Sequence, residues 1–270
     1  MAWFAARGTG SMDDIDTPGD GVSAAVAMLG SLLGPGGRLI PTPKYLLMCW
    51  EGDTPKVIKP RPPRPDNHRV DLKRFQALVP DLVGGAVACP PPGYPSEGDD
   101  VVATAVENCK GKFDVTVVSA DKDLLQLAGD ARCYDLGHKN VITPSQRFKF
   151  TLHRPSHVAV YLALLGDPKD GVDGVSGVGK KGARKMVEDL GDVSLGEAVE
   201  RLADSLHADK SDEFLSSLNL TLLNREVPGV DLPAPIEFGD MEVLDAHHIY
   251  GAGRTVWAKL LGRARFYGDR

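Results

Sequence analysis

The sequence predicts an α/β protein, a mostly parallel sheet flanked by helices, followed by a helical second domain. Two patterns predict this. Up to about residue 150, short apolar strands alternate with amphipathic helices, which is the order of parallel strands joined by helical crossovers. From about residue 155 only helical periodicities appear, until a proline-rich tail. The expected division is an α/β domain over 1–152 and a helical domain over 153–270, reasonable for a chain of 270 residues.

Val22, Val26, Leu29 and Leu33 recur at helical spacing and predict a helix over about 20–34. Tyr45–Trp50 (YLLMCW) reads as a strand that runs into Glu51. A Pro/Arg linker at 55–67 precedes a helix at about 69–83, with Val70, Phe75, Leu78 and Leu82 on one face. Strand 85–89 leads through Pro90–Gly93 to a helix over 97–108 with an acidic first turn. Strand 114–119, helix 122–128, strand 131–135 and a short apolar stretch at 140–142 complete this part. Helices are then expected over 155–165, 179–190, 195–205 and 211–224, and a last one near 243–250 in the tail.

Hydrophobic content of 42% and a mean hydropathy of -0.16 are those of an ordinary folded protein. There is no signal-peptide pattern and no long apolar run, so a cytoplasmic protein without membrane contact is expected. Cys49, Cys89, Cys109 and Cys133 have neither metal-site spacing nor close pairing, and read as reduced thiols. A net charge of -6 at first argues against a nucleic-acid partner. Basic residues nevertheless concentrate at 56–74 and 180–185, and the local field rather than the net charge steers a polyanion.

The most informative stretch is Gly166–Arg184, GDPKDGVDGVSGVGKKGAR. Asp167 and Asp170, three apart, share one face of a helical turn. Gly174, Gly177 and Gly179 follow, and then a basic helix with Lys180, Lys181, Arg184 and Lys185. A P-loop and a dinucleotide fingerprint both match the glycines in part. Both need an apolar strand running into them, and Asp167–Asp173 cannot be one. What fits is a helix–hairpin–helix type of phosphate grip, with backbone N–H groups at a helix N-terminus and lysines adding charge. The plainer alternative is a glycine-rich turn before a solvated basic helix.

Acids stand where a metal-dependent enzyme would want them. Asp121 and Asp123 follow strand 114–119, at the strand end where α/β sites form, although Asp121 also suits a helix cap. Glu97, Asp99 and Asp100 open the next helix upstream, more acids than capping and the helix dipole require. Glu51 ends strand 45–50. With Asp167 and Asp170 this makes eight acids expected at one end of a sheet. An all-oxygen ligand set selects magnesium or manganese, and so rich a set suggests two ions clamping the attacking and leaving oxygens of a phosphodiester.

The segments SEGDD (96–100), VSADKDLLQL (118–127) and GDPKDGVDGVSGVGKKGARK (166–185), in this order and spacing, closely resemble the 5′ nuclease family. That family comprises bacterial and bacteriophage flap endonucleases and the 5′–3′ exonuclease domain of DNA polymerase I. The resemblance runs from about Trp3 to the end of the chain and implies a PIN-like fold. It implies that Glu97, Asp99, Asp100, Asp121, Asp123, Asp167 and Asp170 bind two divalent metals. It also implies that Gly174–Gly179 belongs to a helix-three-turn-helix, often built around a monovalent cation such as K⁺. Glu51 stands where the family has Asp, with Pro55 keeping its place four residues on. Gly171 and Asp173 replace the usual Asn and Pro. The segment 56–64 is shorter than the family's arch; Lys59, Arg61 and Arg64 are the candidates to contact the scissile phosphate, with a proline-stiffened linker as the alternative.

Family members begin with an apolar strand ending in Asp-Gly, followed by a helix similar to Ala2–Ala6 (AWFAA). The first strand and first catalytic aspartate have no counterpart here, and in-frame codons upstream of Met1 are expected to encode them. The expected protein is a monomeric 5′ nuclease acting on flap, 5′-ended or branched DNA, with a DNA polymerase in trans as a candidate partner. A DNA-structure-binding protein with impaired chemistry is the alternative. A magnesium phosphatase using Asp121 and Asp123 would explain neither the glycine loop nor the other acids.

Overall fold

The computed structural model describes residues 20–33, 38–39, 42–52, 66–84, 86–168 and 170–268. Lys59, Arg61, Arg64 and the first nineteen residues lie outside them. The helices are α1 (Asp20–Leu33), α2 (Asp66–Val83), α3 (Gly98–Cys109), α4 (Pro144–Phe148), α5 (His157–Leu165), α6 (Lys180–Leu190), α7 (Leu195–Ser205), α8 (Ala208–Thr221), α9 (Met241–Ala246) and α10 (Gly251–Gly268). The strands are β1 (Tyr45–Cys49), β2 (Ala86–Ala88), β3 (Thr116–Ser119), β4 (Arg132–Asp135), β5 (Asn140–Val141) and β6 (Ala234–Pro235). A 3₁₀ helix, Asp123–Leu127, joins β3 to β4.

Two compact units divide the chain, and both are discontinuous in sequence. The first draws on Met1–Met48, Pro63–Ala88 and Asp231–Arg270, the second on Cys49–Pro62 and Cys89–Val230. In the first unit β1 lies between β2 and β6, pairing antiparallel with β6 through Tyr45–Pro235 and Leu46–Ala234. Helix α1 packs along α10, and glycines set how closely. A Cβ on Gly30 would lie 3.1 Å from Val256 Cγ1, and one on Gly253 would lie 2.6 Å from Ser23 O. Trp257 is fully buried, its indole N–H donating to Gly239 O at 3.0 Å.

In the second unit β3 and β4 pair in parallel, with Ser119 opposite Asp135, and β5 pairs antiparallel with β4. Its core is built around α5. That helix, HVAVYLALL, is apolar nearly all round and buried from His157 to Leu164, the composition of a helix enclosed on every side. Helices α6 and α8 and the 3₁₀ helix pack on it. Phe148, Phe150 and Tyr161 form a ring cluster, with Phe150 and Tyr161 centroids 4.9 Å apart.

The α/β character is as expected, but several elements differ. Of the three pairings whose direction is described, only β3–β4 is parallel. The four residues between β4 and β5, with Lys139 at φ 54, are too few for anything but a hairpin. The helix expected at 122–128 is a short 3₁₀ helix. The helix expected over 211–224 begins and ends three residues earlier. The helix expected near 243–250 is instead two helices, α9 and α10, separated at His247–Tyr250 where His248 takes φ 55.

Candidate active site

The acids of the second unit come from three turns. After β3, Asp121 N–H donates to Ser119 Oγ at 3.1 Å, and Asp121 Oδ1 accepts from Asp123 N–H at 2.9 Å. The N-cap of the 3₁₀ helix is therefore Lys122 rather than Asp121, which instead forms a turn onto the helix's first residue while its side chain remains at the exposed strand end. After α5 the chain reverses at Gly166 (φ 81). Asp167 N–H donates to Val172 O at 2.8 Å, and Asp167 O accepts from both Asp170 and Val172 N–H at 3.0 Å. This single turn is what sets Asp167 and Asp170 side by side. The third turn is the start of α3, where the backbone of Glu51 lies against Gly98: a Cβ there would sit 3.4 Å from Glu51 N.

These groups feel one another. Burial first, and then the charges of Asp100, Glu97, Asp121 and Asp123, hold Asp99 well above the usual carboxylate range. Burial likewise pushes Asp123 up to about 7, with Asp121, Asp170 and Asp167 adding to the rise and Lys122 opposing it. Lys122 stands among the acids. Its ammonium donates to Asp167 Oδ2 and lies 3.5 Å from Asp123 Oδ1. Asp123 Oδ1 is buried and has no hydrogen-bond partner.

The acids differ in how far they are already engaged. Asp100 is buried with both oxygens occupied: Oδ2 accepts from Glu97 N–H at 3.1 Å and Oδ1 from Asn224 N–H at 2.7 Å. It ties the start of α3 to the segment after α8. Glu51 is exposed. Among the described residues no three His, Cys, Asp or Glu side chains converge closely enough to hold a metal ion in this conformation. The donor chemistry nonetheless fits a hard divalent cation: every acid offers oxygen, and Asp123 presents a buried carboxylate oxygen that no N–H or O–H satisfies.

One prediction follows from Asp123. Its folded value lies above its ordinary value of 3.8, so the folded state holds the extra proton and this group's contribution to stability is lost as pH rises towards about 7. In EDTA, the wild-type protein should lose stability relative to Asp123→Asn between about pH 4 and 7 and run parallel to it above that. Urea unfolding midpoints across this range measure the difference.

The glycine loop is held by α8. Gly166 and Gly174 cross backbone to backbone: a Cβ on Gly174 would lie 2.5 Å from Gly166 N. Gly174 N–H donates to Ser217 Oγ at 3.1 Å, and Ser176 N–H donates to Glu213 Oε2 at 2.6 Å. Gly174 is therefore buried and spent on the fold. Gly177 (φ 76) and Gly179, which caps α6, are exposed. Lys210 Nζ lies 3.6 Å from where a Gly177 Cβ would be. Lys180, Lys181 and Lys185 are exposed and make no ion pair among the described residues. Arg184 instead makes two 3.1 Å bonds to Glu188 and lies over the Phe150 ring. Sequence reading missed Lys210, Glu213 and Ser217, whose three- and four-residue spacing puts them on one face of α8.

No family model matches the chain. Its curated relatives include DNA polymerase I, thermostable, of Thermus thermophilus, 31% identical over 185 residues, and that of Thermus aquaticus, 34% identical over 184 residues. Each match covers 66% of this chain and 21% of the polymerase. The 5′-3′ exonuclease of Mycoplasmopsis pulmonis is 29% identical over 148 residues, 49% of this chain and 48% of that protein. The chain fits the 5′ nuclease family. It spans about a fifth of the length of the polymerases it matches. Among solved structures it is similar to the T5 5′-exonuclease with bound divalent metal ions (zinc), at TM-score 0.44 and 17% identity over 74% of this chain and 69% of that one. All three acidic turns and the glycine loop fall within one compact unit.

Proposed function

We propose that the chain is a divalent-metal-dependent 5′ nuclease that hydrolyses DNA phosphodiesters at 5′ ends and branched structures. The observation that carries this reading is the buried, unsatisfied Oδ1 of Asp123 among Asp121, Asp167 and Asp170. Asp121, Asp123, Asp167 and Asp170 would hold one magnesium or manganese ion, and Asp99 with Glu97 and Glu51 a second; Asp100 serves mainly to fix the start of α3. Bound divalent ions supply Lewis-acid stabilisation of the attacking and leaving oxygens. The chain's own part is to bring two sets of carboxylates to one place. Gly177 and Gly179 turn backbone towards a phosphate, with K⁺ as a candidate ion in that loop, and Lys180, Lys181 and Lys185 hold the duplex. Lys59, Arg61 and Arg64 are proposed to steady the scissile phosphate. The protein would act as a monomer, with a DNA polymerase in trans as a candidate partner.

The test is a labelled 5′-flap duplex incubated with magnesium or manganese, beside a binding assay in EDTA. Cleavage only with metal supports the reading. Binding without cleavage under any divalent ion overturns it in favour of a DNA-structure-binding protein.

The grip has its own test. Changing Lys180 and Lys181 to Ala should weaken duplex binding about equally for all sequences, since phosphates rather than bases are contacted. The slope of log K against log salt should flatten by up to about two units, one per lost contact. Binding of ATP with an unchanged salt slope would point to a nucleotide site instead.

A further inference from the structure

We infer that the Lys122 ammonium is a built-in cation of the carboxylate cluster, which a divalent ion must displace from between Asp123 and Asp167 in order to enter there. The inference rests on the metal reading above and adds a competitor to it. Lys122 lies between Asp121 and Asp123 in sequence, so the turn that presents the acids also presents the ammonium. Its reach to Asp167, 45 positions away, joins the turn after β3 to the turn after α5. The joint is incomplete. Asp167 receives a hydrogen bond, whereas Asp123 Oδ1 sees the ammonium only at 3.5 Å and remains without one. A single positive charge also leaves Asp121, Asp123, Asp167 and Asp170 undercompensated, so a divalent ion is the better counter-ion for the same oxygens. The Lys122 side chain is 29% exposed, against 15% for Asp123 and Asp167, and so has a way out towards solvent. A compact, flexible ammonium can vacate the site without disturbing the backbone. Lys122 is therefore a positioning residue: it keeps the acids together when metal is absent and lowers metal affinity on this side of the cluster.

The test uses the full chain with Lys122→Met, Lys122→Gln and, as a marker of the site, Asp123→Asn. Mn²⁺ binding is followed by loss of the free-ion electron paramagnetic resonance signal, and melting temperature is measured in EDTA and in saturating Mn²⁺. Asp123→Asn should weaken Mn²⁺ binding. Both Lys122 variants should bind Mn²⁺ about tenfold tighter or more, since one repelling charge within a few ångströms is gone. In EDTA they should melt below the wild type, and Mn²⁺ should raise their melting temperature more than it raises that of the wild type. Unchanged or weaker Mn²⁺ affinity in both variants, with Asp123→Asn still impaired, overturns the competition and leaves the metal reading in place. If the wild type takes up no Mn²⁺, or Asp123→Asn makes no difference, the metal reading fails and the inference fails with it. Should Lys122→Met not fold in EDTA, the uncharged, hydrogen-bonding Gln variant decides.

Discussion

Replacing both Asp121 and Asp123 with Asn is expected to reduce cleavage by more than about 100-fold while leaving duplex binding in EDTA unchanged or tighter. The substitution is conservative for the fold. Asp121→Asn keeps the Oδ1 that accepts the N–H of the residue two positions on, so the turn that leads into the 3₁₀ helix survives. The double change also removes charges that repel Asp99 and each other, so the fold should not lose stability without metal. What is lost is anionic oxygen for a cation. Binding of DNA in EDTA should improve, since two negative charges no longer oppose the phosphates. Wild-type cleavage by the double variant would remove the carboxylates from the chemistry.

The largest effect on stability is expected from Gly174→Ala. A methyl there would meet Gly166 N at 2.5 Å and Leu165 C at 2.7 Å, both backbone atoms that cannot turn aside, and φ is +76. Overpacking and left-handed strain together should cost about 2–5 kcal/mol. Gly191→Ala is the control. It has φ +71 but nothing within 4 Å, so only the conformational cost of about 1–2 kcal/mol applies. Urea midpoints compare the two. Equal losses would mean that the crossing of Gly166 and Gly174 yields easily. A further loss of metal binding in Gly174→Ala is expected, since Asp167 and Asp170 lie between the crossing glycines.

Helices with strong periodicity and clear ends were legible in the sequence: α3, α6 and α7 begin and end within a residue of expectation. Helix α10 was not. Gly251, Gly253 and Gly262 look like breaks in a helix, yet Gly253 is what allows α10 to lie against Ser23 of α1. Packing overrides propensity there, and the partner is more than 200 positions away. Strand β6 has two residues, too few to show alternation. The acids were legible as acids at the ends of elements. Their individual tasks, like those of the residues around them, were not, because distant partners set them: Asn224 for Asp100, Ser217 for Gly174 and Asp167 for Lys122. Local spacing announces that carboxylates gather. It does not announce which of them is already engaged by a backbone N–H.

Helix α8 has a consequence for where a cut would fall. Ser217 accepts from Gly174 in the glycine loop, and four residues on, Thr221 O accepts from Gln126 Nε2 of the 3₁₀ helix that Asp123 opens. One helical turn, about 6 Å, separates the two anchors. A hydrogen-bonded helical turn has a fixed rise, so α8 sets the spacing between the two anchors. On the proposed nuclease reading, a duplex held at the loop would present its phosphates to the carboxylates at one set distance, and product length would follow helix geometry rather than base sequence.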